Sequence, residues 1–163
     1  MPEKVIIGIG ELAAAKNPAV IITLGLGSCV GVCIRDPVNR VGGIVHVMLP
    51  KAHEPSPAKP GKYADTGIAA LLAEIRQKGG TSSKLEAKIA GGAAMFGSKN
   101  SGSMDIGRRN VEAVKEQLRL HNVELLSEDV GGNRARSIEY NIETGILLVR
   151  KVGGGEKIEV KEI

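Results

Sequence analysis

A chain of 163 residues is long enough to bury a sizeable core in one domain, and 42% apolar with 25% charged residues is ordinary for a globular protein. Trp is absent and the aromatics are Tyr63, Tyr140 and Phe96, so the core must be aliphatic; stacking platforms for single-stranded nucleic acid or flipped bases can hardly be supplied. A net charge of +4 suits an acidic partner but is too mild and too dispersed to mark a nucleic-acid binder.

No apolar run of about 18 residues occurs, and MPEKVIIGIGELAAAK lacks the long apolar stretch and cleavage site of a secretory leader. The expectation is a cytoplasmic protein that is not membrane-embedded, a single domain over 1–163. In that compartment thiols stay reduced. Cys29 and Cys33, four apart on one strand, would also stand too far from each other to bond.

The first half alternates β-branched runs with turns: VIIGIG (5–10), AVIITL (19–24), CVGVCI (29–34) and VGGIVHVML (41–49). Asp36-Pro37-Val38-Asn39 is a turn by composition, which predicts an antiparallel hairpin of the two strands beside it. KAHEPSPAKPGK, rich in proline, fits no regular element and reads as a surface loop over 50–61. Ile68, Leu71, Leu72 and Ile75 recur at i, i+3, i+4 and i+7, so Ala64 to Lys78 is predicted as an amphipathic helix ended by Gly79-Gly80.

LEAKIAGG (85–92) reads as a strand entering a glycine-rich loop that runs to about Met104. Asp105 is a candidate N-cap for a second helix with Val111, Val114 and Leu118 on one face and His121-Asn122 at its end. VELLSEDV, RSIEYNI, GILLVRKV and KIEVKEI complete the chain as strands, separated by Gly131-Gly132-Asn133, Glu143-Thr144-Gly145 and Gly153-Gly154-Gly155. The sum is an α+β domain or layered α/β sandwich of about eight mostly antiparallel strands and two long helices.

Candidate chemistry is sparse. GIGELA (8–13) matches the glycine fingerprint of dinucleotide sites, but that fold needs a helix of several turns after it, and Pro18 stops any such helix early. A metal site built from Cys29, Cys33 and His46 would lack the second cysteine pair of a zinc knuckle. His53 sits among prolines and His121 near a helix end, where a cation is favourable, so both have structural explanations.

The two thiols differ in context. Cys33, between Val32 and Ile34, is most simply a small core residue. Cys29 follows Gly25-Leu26-Gly27-Ser28, where a sharp turn leaves backbone N–H groups able to lower a thiol pKa or hold an oxyanion. A nucleophile and a buried core cysteine both fit that spacing. Folding the hairpin about Val38-Asn39 sets position 29 opposite roughly 48 and position 31 opposite 46, so His46 could serve Cys29 as base after a modest register shift. Thr23, ending the preceding strand, has a hydroxyl able to orient the imidazole.

At these residues the chain resembles the CheD family of chemoreceptor glutamine deamidases. The likeness lies in TLGLGSCV (23–30), HVMLP (46–50), KPGKYAD (59–65), KIAGGAAMF (88–96), IGRRNVEAV (106–114) and GGNRARSIEYNIETGILLVRKV (131–152). The resemblance implies Cys29 as nucleophile, His46 as base and Thr23 as the third member, with amides of the Gly27-Ser28-Cys29 turn holding the oxyanion. It implies a fold similar to the catalytic domain of the cytotoxic necrotizing factor toxins, and no cofactor or metal. The implied reaction is hydrolysis of glutamine side chains on chemoreceptor methylation helices, with a methylesterase side activity because a glutamyl methyl ester leads to the same thioester. The phosphatase CheC is implied as a second protein partner, and a non-enzymatic adaptor for receptor and CheC is the rival reading. Loops 50–61 and 91–104 are the candidate walls for the substrate helix.

Overall fold

The computed structural model describes residues 2–94, 105–152 and 157–163. In chain order the elements are β1 (Glu3–Ile7), β2 (Leu12–Lys16), β3 (Ala19–Leu26), β4 (Val30–Asp36) and β5 (Val41–Val47), then a 3-10 turn (Pro60–Lys62), α1 (Ala64–Gln77), β6 (Glu86–Gly91), α2 (Ile106–Leu120), β7 (Glu124–Val130), β8 (Ala135–Asn141), β9 (Leu147–Val152) and β10 (Glu159–Glu162). They build two five-stranded sheets, one ordered β1-β3-β8-β9-β10 and the other β2-β5-β4-β6-β7. The β1–β3 and β6–β7 pairs are parallel, and the remaining pairs are antiparallel.

Two separate apolar clusters define three layers. One face of the second sheet, carrying Val30, Val32, Ile34, Val45 and Val47, packs on Ile68, Leu71 and Ile75 of α1 and Val114 and Leu118 of α2. Its other face, carrying Cys33, Ile44 and Ala90, packs on Ile21, Leu26, Ile138 and Tyr140 of the first sheet. Strands β4 and β5 are therefore buried along their whole length. A strand covered on both faces has no polar side to alternate with, which is why VGVCI and VGGIVHV read as near-continuous apolar runs.

The α+β layering, both helices and the predominantly antiparallel pairing follow the sequence reading. The expected number of about eight strands is corrected: ten form among the described residues, nine of them at the runs named from the sequence and the tenth, β2, at Leu12-Ala13-Ala14-Ala15-Lys16, where no run was named. Alanine has little intrinsic strand preference. Here it is recruited because β2 pairs with β5, where Ala14 stands against Gly43, and a Cβ on Gly43 would strike Ala14 and Leu71. Only small residues fit that crossing. Most of the glycine-rich loop expected to reach Met104, and the Gly153-Gly154-Gly155 turn, lie outside the described residues.

Because β3 belongs to the first sheet and β4 to the second, the chain changes layers at Gly27-Ser28-Cys29. That crossing positions the site.

Candidate active site

The β4–β5 hairpin is set by its turn. The Asp36 carboxylate accepts from the amides of Val38 (2.9 Å) and Asn39 (3.0 Å), closing a tight bend. The register that results puts Gly31 opposite His46 and Val30 opposite Val47, in agreement with the pairing expected from the sequence. Residues directly opposite in an antiparallel pair share a face, so His46 points with the Gly31 side of the sheet toward the first sheet.

Gly31 matters because it carries no side chain. A Cβ there would lie 2.6 Å from Ile138 Cδ1 and 3.1 Å from Leu26 Cδ1. The two sheets close together at this point, and a side chain of the first sheet reaches the imidazole: Thr23 Oγ1 is 2.7 Å from His46 Nδ1, with both residues wholly buried. Thr23 Oγ1 also donates to the Ile7 carbonyl at 2.9 Å. A hydroxyl has one proton and a carbonyl can only accept. The bond to His46 must therefore run from Nδ1–H to the threonine oxygen, which leaves Nε2 as the bare, basic nitrogen. Among the described residues Nε2 has no hydrogen-bond partner.

Thr23 takes this inward position at a local irregularity. The β3–β8 register slips between Thr23 and Leu26, with Leu24 and Gly25 turned outward and Gly25 at φ +69. After the slip Leu26 points inward again and the chain enters the crossing turn.

All three carbonyls of that turn are held. Gly27 O accepts from Ala93 N (2.9 Å) and Cys29 O from Gly92 N (2.8 Å), while Ser28 O accepts from the Asn110 side-chain amide (3.0 Å). The amides of Ser28 and Cys29 donate to no backbone carbonyl among the described residues. Two successive N–H groups without a backbone acceptor among the described residues, one of them acting on the thiol, suit an oxyanion hole. The close approach of the 91–93 segment rests on Gly91, at φ +113, where any Cβ would collide with the Cys29 carbonyl.

Cys29 retains 9% exposure and Cys33 none, and both are free thiols. Burial raises the Cys29 pKa above its ordinary value, and its own amide N–H works against that rise. Of the turn amides expected to lower the thiol pKa, that of Cys29 does so, and desolvation outweighs it. Burial pushes Cys33 far higher in spite of the nearby Lys88 charge, and burial brings His46 down to about 4. At neutral pH the pair is a thiol and a neutral imidazole rather than a thiolate and an imidazolium.

The structure brings Thr23 and His46 into contact and sets Cys29 immediately before β4; the β4–β5 register, continued one residue beyond the Val30–Val47 pair, puts it diagonal to His46. No hydrogen bond joins sulfur and Nε2 in this resting arrangement. Diagonal neighbours are about 7–8 Å apart at Cα, within the combined reach of an imidazole and a thiol. His121 is the C-cap of α2, in keeping with its structural explanation. Among the described residues no cluster of three or more His, Cys, Asp or Glu side chains could hold a metal ion.

Sequence reasoning missed Asn110. Wholly buried on α2, its Nδ2 donates at 3.0 Å to Ser28 O and at 3.0 Å to Met48 O, tying the Cys29 turn to the end of the His46 strand. The available signal was a polar residue in phase with Val114 and Leu118 on the apolar face of a helix. Residues 91–93 of the glycine loop lie against the Gly27–Cys29 turn and Ala94 N donates to Gly132 O, whereas 95–104 falls outside the described residues. In the proline loop, Ala58 to Gly61 with Ile7, Gly10, Glu11 and Leu12 line a groove of about 540 Å³ near the outer end of β2. No helix among the described residues is long and apolar enough to cross a membrane.

Comparison with known proteins gives one family. A family model described as CheD chemotactic sensory transduction matches residues 48–151. The chain is 62% identical over 160 residues to the chemoreceptor glutamine deamidase CheD of Thermotoga maritima, covering 98% of this chain and 99% of that one. It is 46% identical to the probable chemoreceptor glutamine deamidase CheD of Syntrophomonas wolfei, over 93% of this chain and 96% of the other. A protein of the same printed name from Pyrococcus abyssi is 42% identical, over 98% of each chain.

Proposed function

The chain belongs to the CheD family, and on that footing we propose that it hydrolyses glutamine side-chain amides of chemoreceptors to glutamate through Cys29, His46 and Thr23. The observation that carries this reading is the assigned tautomer: Thr23 fixes Nδ1 as the protonated nitrogen and leaves Nε2 as a buried base without a partner among the described residues.

In the first step Nε2 takes the proton from the thiol as sulfur attacks the amide carbon, so charge separates only as the bond forms. The carbonyl oxygen becomes an oxyanion against the amides of Ser28 and Cys29, with Gly27 giving the turn its shape. Imidazolium then returns its proton to the departing ammonia, and the C–N bond breaks to leave a thioester. Water, deprotonated by the same Nε2, hydrolyses the thioester to glutamate and restores the thiol. A glutamyl methyl ester would enter by the same route and lose methanol, so methylesterase activity belongs to the proposal, as does the fold likeness to the cytotoxic necrotizing factor catalytic domain. Chain 1–163 is treated as one deamidase domain acting in the cytoplasm, with CheC as a second protein partner.

The test is incubation with a chemoreceptor cytoplasmic fragment, read by ammonia release and by the mass gained when an amide becomes an acid. Conversion by the native protein and none by Cys29→Ala supports the reading. A pure adaptor would bind the fragment and leave its mass unchanged.

A further inference from the structure

We propose that Asn110 is a positioning residue for this reaction: it holds the Ser28–Cys29 peptide so that the Cys29 N–H faces the sulfur and the oxyanion. The inference rests on the deamidase reading for its kinetic consequence and on hydrogen-bond geometry for its origin.

In a trans peptide the C=O and N–H vectors point in opposite directions. Fixing one fixes the other. The carbonyls of Gly27 and Cys29 are anchored by backbone amides of the 92–93 segment, but the Ser28 carbonyl is bound only by Asn110 Nδ2 among the described residues. Drawing that carbonyl toward α2 turns the Cys29 N–H to the opposite side. The Cys29 side chain lies on that side, packed in the cluster between the two sheets on the face of the second sheet away from α2, and its own amide favours the ionised thiol. Removing the side chain would leave the 28–29 peptide as the one unit of the turn free to rotate.

The second Nδ2 proton goes to Met48 O, two residues beyond His46 and just past the end of β5. One amide group thereby clamps the nucleophile's turn to the strand that carries the base. Its Oδ1 is buried without a partner among the described residues, a cost that a leucine in this apolar setting would avoid. Both donors are used and the acceptor is not, so donation is the function of the group.

The experiment uses the full chain in a Cys33→Ala background, comparing Asn110 with Asn110→Ala and with Asn110→Asp, which keeps the shape but loses the paired donors when ionised. Two readouts are taken: the pH dependence of iodoacetamide alkylation of Cys29, and kcat and KM for glutamine hydrolysis on a chemoreceptor fragment. Expected in both variants are an alkylation midpoint moved to higher pH and a kcat lower by about 10- to 100-fold with KM nearly unchanged. If Asn110→Ala fails to fold, Asn110→Ser, which keeps one donor, should show the same changes in smaller measure. A folded variant with an unmoved alkylation midpoint and native kcat, or a loss confined to KM, overturns the proposal. Alkylation needs no substrate, so a midpoint that depends on Asn110 in a protein that deamidates nothing would sink the deamidase reading and leave the positioning role standing.

Discussion

Thr23 and His46 stand on different sheets and meet in a 2.7 Å hydrogen bond in which the imidazole is the donor, because the threonine's own proton is committed to the Ile7 carbonyl at 2.9 Å. Three strands thus decide one tautomer: β1 through a carbonyl, β3 through a hydroxyl and β5 through the ring.

Thr23→Val keeps the shape and removes the acceptor, so Nδ1–H is left buried and unpaired and the ring is free to change tautomer. Such a loss corresponds to about 1–3 kcal/mol, or roughly 5- to 150-fold in rate. Thr23→Ser should retain most of the activity, since it keeps the oxygen. Initial rates of ammonia release separate the two. Equal rates for Thr23→Val and native protein would show that the bond does not serve catalysis.

The two thiols should behave oppositely. Cys29→Ala is expected to abolish turnover, whereas Cys33→Ala removes a small core group, costs about 1 kcal/mol of stability and leaves activity nearly intact. In the native protein iodoacetamide should label Cys29 alone, with Cys33 reacting only after denaturation, as its lack of exposure requires. Mass mapping of the labelled peptides checks this directly.

The pH profile follows from a neutral pair. With His46 at about 4 and Cys29 above its ordinary value, kcat/KM should stay flat through neutral pH and fall in acid as Nε2 is protonated. A thiolate–imidazolium enzyme would instead lose activity as the pH rises past the imidazolium pKa. Stability moves in the same direction. The unfolded histidine takes a proton near 6.5, whereas the folded one resists protonation until about 4, so the fold loses stability as pH drops between those values. The full loss is on the order of 3 kcal/mol. Thermal melts of native protein and His46→Asn between pH 4 and 7 should diverge accordingly.

Gly91→Ala tests the seat of the Cys29 turn. The residue is at φ +113 and a Cβ would collide with the Cys29 carbonyl backbone, which cannot swing aside as a side chain could. A loss of more than about 2 kcal/mol is expected from strain and the displaced Gly92 N to Cys29 O bond. Denaturant midpoints measure it. At Gly31 the clashing atoms are the ends of Ile138 and Leu26, so Gly31→Ala should cost less stability while still loosening the contact between the sheets beside His46.

Local information in the chain already carried much of the site. Asp36 to Asn39 is a turn whose chemistry is complete within four residues, and once its centre is known the ladder arithmetic places Gly31 against His46 without further input. The apolar period of α1 and α2 and the Asp105 cap are equally local, and the structure follows them. Cys29 stood out from Cys33 because glycines and a serine precede it.

Partners distant in sequence were the part that periodicity could not reach. Whether β1 lies beside β3 or β2 depends on which sheet each joins, a choice made by packing over the whole domain, and Ala-rich β2 became a strand only because β5 offered it a glycine to lie against. Asn110 donates to carbonyls 82 and 62 residues away in the chain, so its place on the apolar face of α2 marks it as unusual while its partners stay hidden from the sequence. The sequence by itself determined how one hairpin aligns and which side chains were candidates for the chemistry, because short-range turn and pairing rules suffice for that. Only the tertiary structure decided the tautomer of the imidazole and the anchoring of the Ser28 carbonyl, because each depends on a hydrogen bond between segments that meet only when the layers close.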